Sequence, residues 1–486
     1  MATIKISPVT RIEGHMDVEV TVDLVGGRPQ VVDAKSSGTM FRGFEQILIN
    51  HDPLDALYFT QRVCGVCPIA HGMASALALE AALGVSPPDN GRIIRNLVLG
   101  ANFIQSHVLH FYHLSLLDYV DATGLLDMSP WNAHYAAPDL IRGGAASRFI
   151  DHYSQALAIR RKAHQAGAIF GGRLPCSPVF VPGGSTEAVA PQKVADFRNL
   201  LAEIRGFIDS VYLPDVNEVA ALFPAYAQVG RGCGNLLAFG AFNLDAAGHS
   251  RLFARGRCTD GAPAAVDPLE IREDVAKAWY SSPTGLNPKD GLTEPDKGKA
   301  GAYSWIKAPR YVDKVHEVGP LARMWVNGDY RKGVSVIDRH AARALEARKV
   351  AEAMAGWVGQ LNAGGSSYTY RAVPASVTGK YGLSEAARGA LGHWIDISNS
   401  RIARYQILTP TAWNASPTDD AGRKGAMEQA LLGTPVRDAQ NPIEVLRVIH
   451  SFDPCLACAV HVVRPGRAAS SAVPGAVAGI VTSPRR

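Results

Sequence analysis

Apolar and polar residues alternate from Ile4 to Ile6 and again from Val18 to Val25, and Gly26-Gly27 separates the second run from Val31-Val32. Alternation points successive side chains to opposite faces of a half-buried sheet, and a Gly-Gly pair supplies the positive φ of a tight hairpin. A small antiparallel sheet is therefore predicted within about residues 1–50, with Thr10 to His15 in the loop between its first two strands. From about Pro53 to Leu83 the pattern turns helical. Ile93, Leu97, Ala101, Ile104, Val108 and Phe111 recur every three or four positions, which predicts one long buried helix over 92–120. Further helices are predicted at about 148–168, 191–222, 338–361 and 421–450, whereas the Gly-, Pro- and Asp-rich region 230–335 reads as irregular chain with short strands. The whole predicts a mainly α (α+β) fold. Its N-terminal sheet covers about 1–50, its helical core about 53–225 and 336–461, and no internal repeat is visible.

Composition narrows the function without choosing one. A chain of 486 residues that is 47% hydrophobic and 19% charged can bury a sizeable core. The net charge of +5 is modest, and no Lys/Arg cluster is interleaved with aromatics, which argues against a nucleic-acid partner. The N-terminus carries Lys5 and Arg11 and lacks the apolar core of a signal peptide, and no apolar run is long enough to span a bilayer. The chain is thus expected neither to cross a membrane nor to carry its own export signal.

The cysteines carry the chemistry. Of the seven, Cys176, Cys233 and Cys258 are scattered and read as free, buried or half-buried thiols. The other four form two C-x-x-C pairs near opposite ends, Cys64-Gly65-Val66-Cys67 and Cys455-Leu456-Ala457-Cys458. Four thiolates are a ligand set for a soft metal. The separation of the pairs argues against a small zinc ribbon, and spacing alone leaves a structural zinc site and a catalytic metal both open. The first pair falls near a predicted helix start, where backbone N–H groups and the helix dipole favour thiolate. His107, His110 and His113 sit three apart on the long helix; core histidines bonded to their neighbours are the preferred reading over metal ligands.

The flanks of the cysteines extend the pattern. The first pair lies in Arg62-Val63-Cys64-Gly65-Val66-Cys67-Pro68-Ile69-Ala70-His71, and the second in Asp453-Pro454-Cys455-Leu456-Ala457-Cys458-Ala459-Val460-His461. Together with Thr10-Arg11-Ile12-Glu13-Gly14-His15, Phe41-Arg42-Gly43-Phe44-Glu45, Glu317-Val318-Gly319-Pro320-Leu321-Ala322-Arg323, Arg388-Gly389-Ala390-Leu391-Gly392-His393-Trp394 and Pro410-Thr411-Ala412-Trp413-Asn414, these segments resemble, in order, the large catalytic subunit of nickel-iron hydrogenases over residues 7–461. The resemblance implies that family's large-subunit fold, a single catalytic domain over 1–461, and heterolytic, reversible oxidation of dihydrogen to protons and electrons. That chemistry needs a redox-capable metal to accept hydride and a base to accept the proton, and zinc cannot supply the first.

The resemblance also implies roles. Cys64, Cys67, Cys455 and Cys458 would ligate nickel, with Cys67 and Cys458 bridging to an iron that carries two cyanides and a carbon monoxide. Cys455 would be the terminal thiolate that takes the proton, and Glu13 the proton-gate carboxylate. Arg388 would stand over the open coordination position, oriented by Asp453. Thr411, just after Pro410, would donate to the second cyanide, and His71 would hydrogen-bond a bridging cysteine. Glu45, the main-chain carbonyl of Ile407 and His461 would hold Mg²⁺.

Some positions depart from the family pattern. Ser106 stands where membrane-bound uptake enzymes have Asp, Ala387 where they have Pro, and Cys176 where many relatives have His. The segments around Ser304 to Tyr311 and Trp413 to Pro417 are most similar to the respiratory uptake branch. That branch implies a small subunit bearing iron-sulfur clusters, as well as nickel chaperones and a maturation endopeptidase. It further implies export on a twin-arginine signal of the small subunit, so that the chain meets a membrane only through partners, with a cytoplasmic enzyme as the alternative. A low-turnover dihydrogen sensor is kept open by Ser106; a zinc-clasp protein or a Complex I relative is the reading from another class. After His461 the tail 462–486 has no acidic residue and contains Arg464, Arg467, Arg485 and Arg486. The family implies its removal between His461 and Val462, which would take the formal charge from +5 to +1 by the loss of those four arginines.

Overall fold

The computed structural model describes residues 1–124 and 137–459; His461 and the extension after it lie outside the described residues. Strands β1 (Ala2–Ile6), β2 (Met16–Val25) and β3 (Arg28–Gly38) form the predicted antiparallel sheet in that order. On β2, Met16, Val18, Val20 and Val22 are buried while the residues between them are not. Gly26 and Gly27 both take positive φ, 59° and 78°, the conformation of the predicted tight hairpin.

Helix α1 (Pro68–Leu83) begins with Pro68 at its first position and stops at left-handed Gly84, whose N–H bonds to Glu80 O. The helical stretch predicted from Pro53 is interrupted, because Gln61 to Cys67 form a non-helical turn before α1. Helix α2 (Asp89–Val108) is buried at almost every position and runs on through a π-helical turn, Leu109–Ser115. It packs on α3 (Gly143–Gly171) and on a later helix, Val336–Val358. His107 and His110 are buried and bonded to neighbours, as the preferred reading had them, with His107 Nε2 2.9 Å from Glu346 Oε1 and His110 Nε2 2.6 Å from the His450 carbonyl; His113 is half-buried, its Nε2 3.3 Å from the Tyr153 carbonyl. Helix α4 (Pro191–Phe207) continues through a second π-turn into α5 (Leu213–Leu222). Short strands dominate 230–335, with one helix, α6 (Pro320–Asn327), near the end. Helix α7 (Val336–Val358) opens on a capping box: Ser335 Oγ accepts the Asp338 N–H and Asp338 accepts the Ser335 N–H.

Two sequence expectations are corrected here. The span 336–461 is not all helical: β4 (Val377–Ala386), β5 (Gly389–Ser398) and β6 (Arg401–Leu408) make a second three-stranded antiparallel sheet. All of Gly389 to Ile397 is buried, His393 and Asp396 included, so neither face is wet and no period-two contrast marks the strand. The single helix predicted at 421–450 is two, α9 (Ala426–Leu431) and α10 (Ile443–Ser451), which follow α8 (Pro410–Asn414). Gly433 in a left-handed conformation, with Pro435 and Pro442, ends one and delays the other. Cys176, Cys233 and Cys258 are free thiols as expected.

Strand β4 lies directly on α1. A Cβ at Gly382 would meet Ala74 O and Ala78 N at 2.3 Å each, so no side chain fits between the helix backbone and the strand. The β4–β5 hairpin is held from below by fully buried Arg323. Its guanidinium pairs with Glu346 and Glu385 and also donates to the carbonyls of Ala386 (3.0 Å) and Ala387 (2.8 Å). Breaking a buried pair of this kind by removing one partner costs about 3–5 kcal/mol. The next residue on that hairpin is Arg388.

Candidate metal centre

The first cysteine pair sits where the chain turns from the Gln61–Cys67 stretch into α1. Cys67 is the residue just before the helix and its carbonyl accepts the Ala70 N–H at 3.1 Å. The loop between the cysteines is fixed from α2, where Asn102 and Gln105 both donate to the Val66 carbonyl, at 3.1 and 3.2 Å. In the second pair Cys455 precedes α11 (Leu456–Ala459) and Cys458 lies within it, with Cys458 N–H bonded back to Cys455 O at 3.2 Å. Asp453, at φ +55°, turns the chain into it.

The two ends of the chain meet at sulfur. Cys64 Sγ lies 3.2 Å from Cys455 Sγ, Cys67 Sγ 3.2 Å from Cys458 Sγ, and Cys455 Sγ 3.0 Å from Cys458 Sγ. All four are buried, and among the described residues they are the one group of side chains close enough to hold a metal ion, within 4.8 Å of one another. Arg42 straps the pairs together by donating to Val63 O on one side and to Ala457 O, at 2.5 Å, on the other.

Arg388 is almost fully buried beside them. Its Nε donates to the Asp453 carbonyl at 3.0 Å, and Nη2 stands 2.9 Å from Asp453 Oδ1. That ion pair is close but not aligned as a hydrogen bond, so both terminal nitrogens of Arg388 and Asp453 Oδ1 have no hydrogen-bond partner in the protein. Buried donors without partners are rare, and two on one guanidinium mark a place for a bound group. Ser106 Oγ on α2 is also buried without a partner.

The sulfurs cannot all ionise beside one guanidinium. Burial raises the Cys64 thiol, but hydrogen bonds from Cys455, Cys458 and Cys67 and the charge of Arg388 take it well below its ordinary value. Burial and their sulfur neighbours push Cys455 and Cys458 well above theirs. A cation among the four removes this conflict, because it stabilises every thiolate at once. Four soft donors, dry and preassembled, fit a soft metal bound through sulfur.

The loop Thr10 to His15 delivers a carboxylate to the cluster. Glu13 Oε2 accepts from Cys455 Sγ at 3.1 Å and from the Ala457 N–H at 3.0 Å, while the Glu13 carbonyl accepts the Leu456 N–H at 2.8 Å. Close approach requires glycine next in line: a Cβ at Gly14, which has φ +81°, would meet Ala457 N at 2.7 Å. Burial, and then the Cys64 charge, raise the Glu13 pKa.

Other candidates fall around this core. Thr411 Oγ1 accepts the Cys455 N–H at 2.9 Å, which leaves its own O–H to donate; Pro410 opens α8 ahead of it. His71 Nε2 is 3.5 Å from Cys458 Sγ, and burial pushes its pKa down to about 4. Glu45 is brought to Ile407, but through the Ile407 N–H, which donates to Glu45 Oε1 at 2.9 Å; Thr293 donates to Oε2. The third member of that set, His461, lies outside the described residues. Arg42 and His393 were quoted in sequence segments without a role. Arg42 reaches Ala457 across 415 positions and His393 reaches His71 across 322, so no local pattern announces those contacts.

Residues 42–148, 144–334 and 327–461 match the family described as "Nickel-dependent hydrogenase", and 3–35 match one described as "HoxL-like". The chain is 42% identical to the periplasmic [NiFeSe] hydrogenase large subunit of Desulfomicrobium baculatum, over 94% of this chain and 95% of that one. It is 34% identical to the uptake hydrogenase large subunit of Rhizobium leguminosarum bv. viciae, over 95% of each. The solved Ni-Fe-Se hydrogenase of D. vulgaris Hildenborough in the reduced state superposes with a TM-score of 0.90 at 43% identity, covering 95% of this chain and 100% of that one. This chain has cysteine at all four positions of its cluster.

Proposed function

This chain belongs to the nickel-dependent hydrogenase family as a large subunit, the catalytic partner in dihydrogen oxidation, and from that premise we propose how its residues divide the work. Cys64, Cys67, Cys455 and Cys458 would hold a nickel-iron centre whose iron carries cyanide and carbon monoxide. When bound, such a centre supplies a redox-active site that takes the electron pair of dihydrogen. Arg388, whose two terminal nitrogens make no hydrogen bond in the protein and one of which is ion-paired to Asp453, would polarise dihydrogen and hold a cyanide, with Asp453 fixing its orientation. Cys455 takes the proton and hands it to Glu13 across 3.1 Å. Thr411, whose Oγ1 accepts the Cys455 N–H, would give its O–H to the second cyanide. Glu45, the Ile407 carbonyl and His461 would supply the ligands for Mg²⁺.

The observation that supports this reading most strongly is the contact of a carboxylate with one sulfur of a dry four-sulfur cluster beneath a guanidinium with unpartnered donors. Nickel and iron are expected in the purified complex, with infrared bands from iron-bound cyanide and carbon monoxide. A preparation from a host with intact maturation machinery that contains zinc alone rules the assignment out.

Electrons must leave a centre this buried by short hops, which calls for the iron-sulfur small subunit with which large subunits of this family pair. The D. baculatum relative is periplasmic by name, and among the described residues no helix is long and apolar enough to cross a membrane. Export with the small subunit to the outer face of the membrane fits both facts. Nickel chaperones insert the metal, after which an endopeptidase cuts between His461 and Val462. The mass of the active chain should end at His461; an active protein that retains Val462 to Arg486 shows that this cut is not needed.

A further inference from the structure

A line of four side chains runs from the cluster into the second sheet. Cys458 Sγ lies 3.5 Å from His71 Nε2, His71 Nδ1 lies 3.1 Å from His393 Nε2, His393 Nδ1 lies 2.8 Å from Tyr405 OH, and Tyr405 OH lies 3.1 Å from Ser75 Oγ. Every member is buried. His71 and Ser75 stand one turn apart on α1, His393 is on β5 and Tyr405 on the neighbouring β6, so the line closes on the helix that begins at Cys67.

The contacts of such a line fix its sense. A neutral imidazole carries one N–H, and the partner of one nitrogen decides which nitrogen holds it. Where Cys458 is a thiolate it can only accept, so His71 keeps its hydrogen on Nε2 and must accept at Nδ1. His393 then donates from Nε2 and accepts at Nδ1, which calls for the O–H of Tyr405; with the phenol hydrogen turned to His393 rather than to Ser75 Oγ, the Ser75 hydroxyl turns its own hydrogen to the Tyr405 oxygen. Each donor in the series points toward sulfur, and hydrogen bonds aligned in this way strengthen one another.

We propose that His71, His393, Tyr405 and Ser75 form a polarised hydrogen-bond relay, and that Tyr405 is a positioning residue that sets, through the two rings, how much electron density Cys458 offers its metal. The proposal rests on the reading of Cys458 as a metal thiolate. A hydrogen bond to a ligating sulfur withdraws charge and makes the metal easier to reduce. Losing the last donors in the relay weakens that bond without touching a ligand.

The test is a redox titration of the purified large–small subunit complex, followed by the nickel electron paramagnetic resonance signal, with nickel and iron contents measured on the same samples. Tyr405→Phe is expected to shift the nickel midpoint to more negative potential at full metal content, and Ser75→Ala to shift it the same way by less. Tyr280→Phe is the control, since Tyr280 is a buried tyrosine outside the relay that donates to the Trp305 carbonyl at 2.8 Å; it should titrate as the wild type does. Midpoints unchanged in both relay variants, or an equal shift in the control, overturn the relay. If Tyr405→Phe does not assemble, Ser75→Ala carries the test alone, and its unchanged midpoint is sufficient to reject the idea. A wild-type complex without nickel would instead bring down the metal reading beneath it.

Discussion

Glu13→Gln is expected to lower hydrogen/deuterium exchange by about 10²- to 10⁴-fold, the range over which a positioned acid or base contributes, while nickel and iron stay in place. Glutamine has the shape of the carboxyl and keeps an oxygen for the Ala457 N–H, now 3.0 Å from Oε2. The backbone bonds that seat the loop, Leu456 N–H to Glu13 O at 2.8 Å and Glu13 N–H to Pro454 O at 3.4 Å, do not involve the side chain. What the variant loses is a group that can take a proton from Cys455 and release it. The sign of the stability effect follows from the raised Glu13 pKa. The folded chain favours the neutral carboxyl, so the ionised form costs stability as pH rises above the ordinary carboxylate range. A permanently neutral glutamine should therefore melt no lower than the parent at neutral pH. Exchange measured on metal-loaded samples decides the matter: a rate equal to the parent's takes Glu13 off the proton path.

How much of this arrangement could be read from residues alone depended on whether a signal was local. Met16, Val18, Val20 and Val22 announce β2 because its other face is wet, and the 3–4 spacing of Ile93 to Phe111 announces α2 even though it is buried all round. The central strand of the second sheet has no such contrast: Gly389 to Ile397 is buried throughout, so neither of its faces stands out in the sequence. The site divides in the same way. Four cysteines in two spaced pairs are visible as ligands, but spacing alone could not separate a zinc clasp from a redox metal; the flanking motifs, through the family they resemble, pointed to the second. Arg42 illustrates what stays hidden, since its bond to Ala457 spans 415 positions and depends on the whole fold. Arg323 is hidden for another reason. Alone in sequence it is one arginine in a helix, and only burial beside Glu346 and Glu385 shows that it carries the hairpin ahead of Arg388.

That hairpin leads to the second large effect. Arg388→Lys is expected to reduce dihydrogen oxidation by about 10²- to 10³-fold, the loss seen when one preorganised donor is removed from a dry site. Lysine keeps the charge, so the attraction to Asp453 survives and the four sulfurs still assemble. It cannot keep the geometry: Arg388 uses Nε on the Asp453 carbonyl at 3.0 Å and still presents two unpartnered nitrogens, whereas an ammonium is a single point at the end of a flexible stem. Once that point turns to Asp453, nothing is left over the open face. If Arg388 donates to a cyanide as proposed, the cyanide bands in the infrared should shift as well. Turnover measured with an artificial acceptor at full nickel and iron content is the deciding quantity. A lysine variant within a few-fold of the parent would mean that charge alone suffices, and that the fork of the guanidinium has no part in splitting dihydrogen.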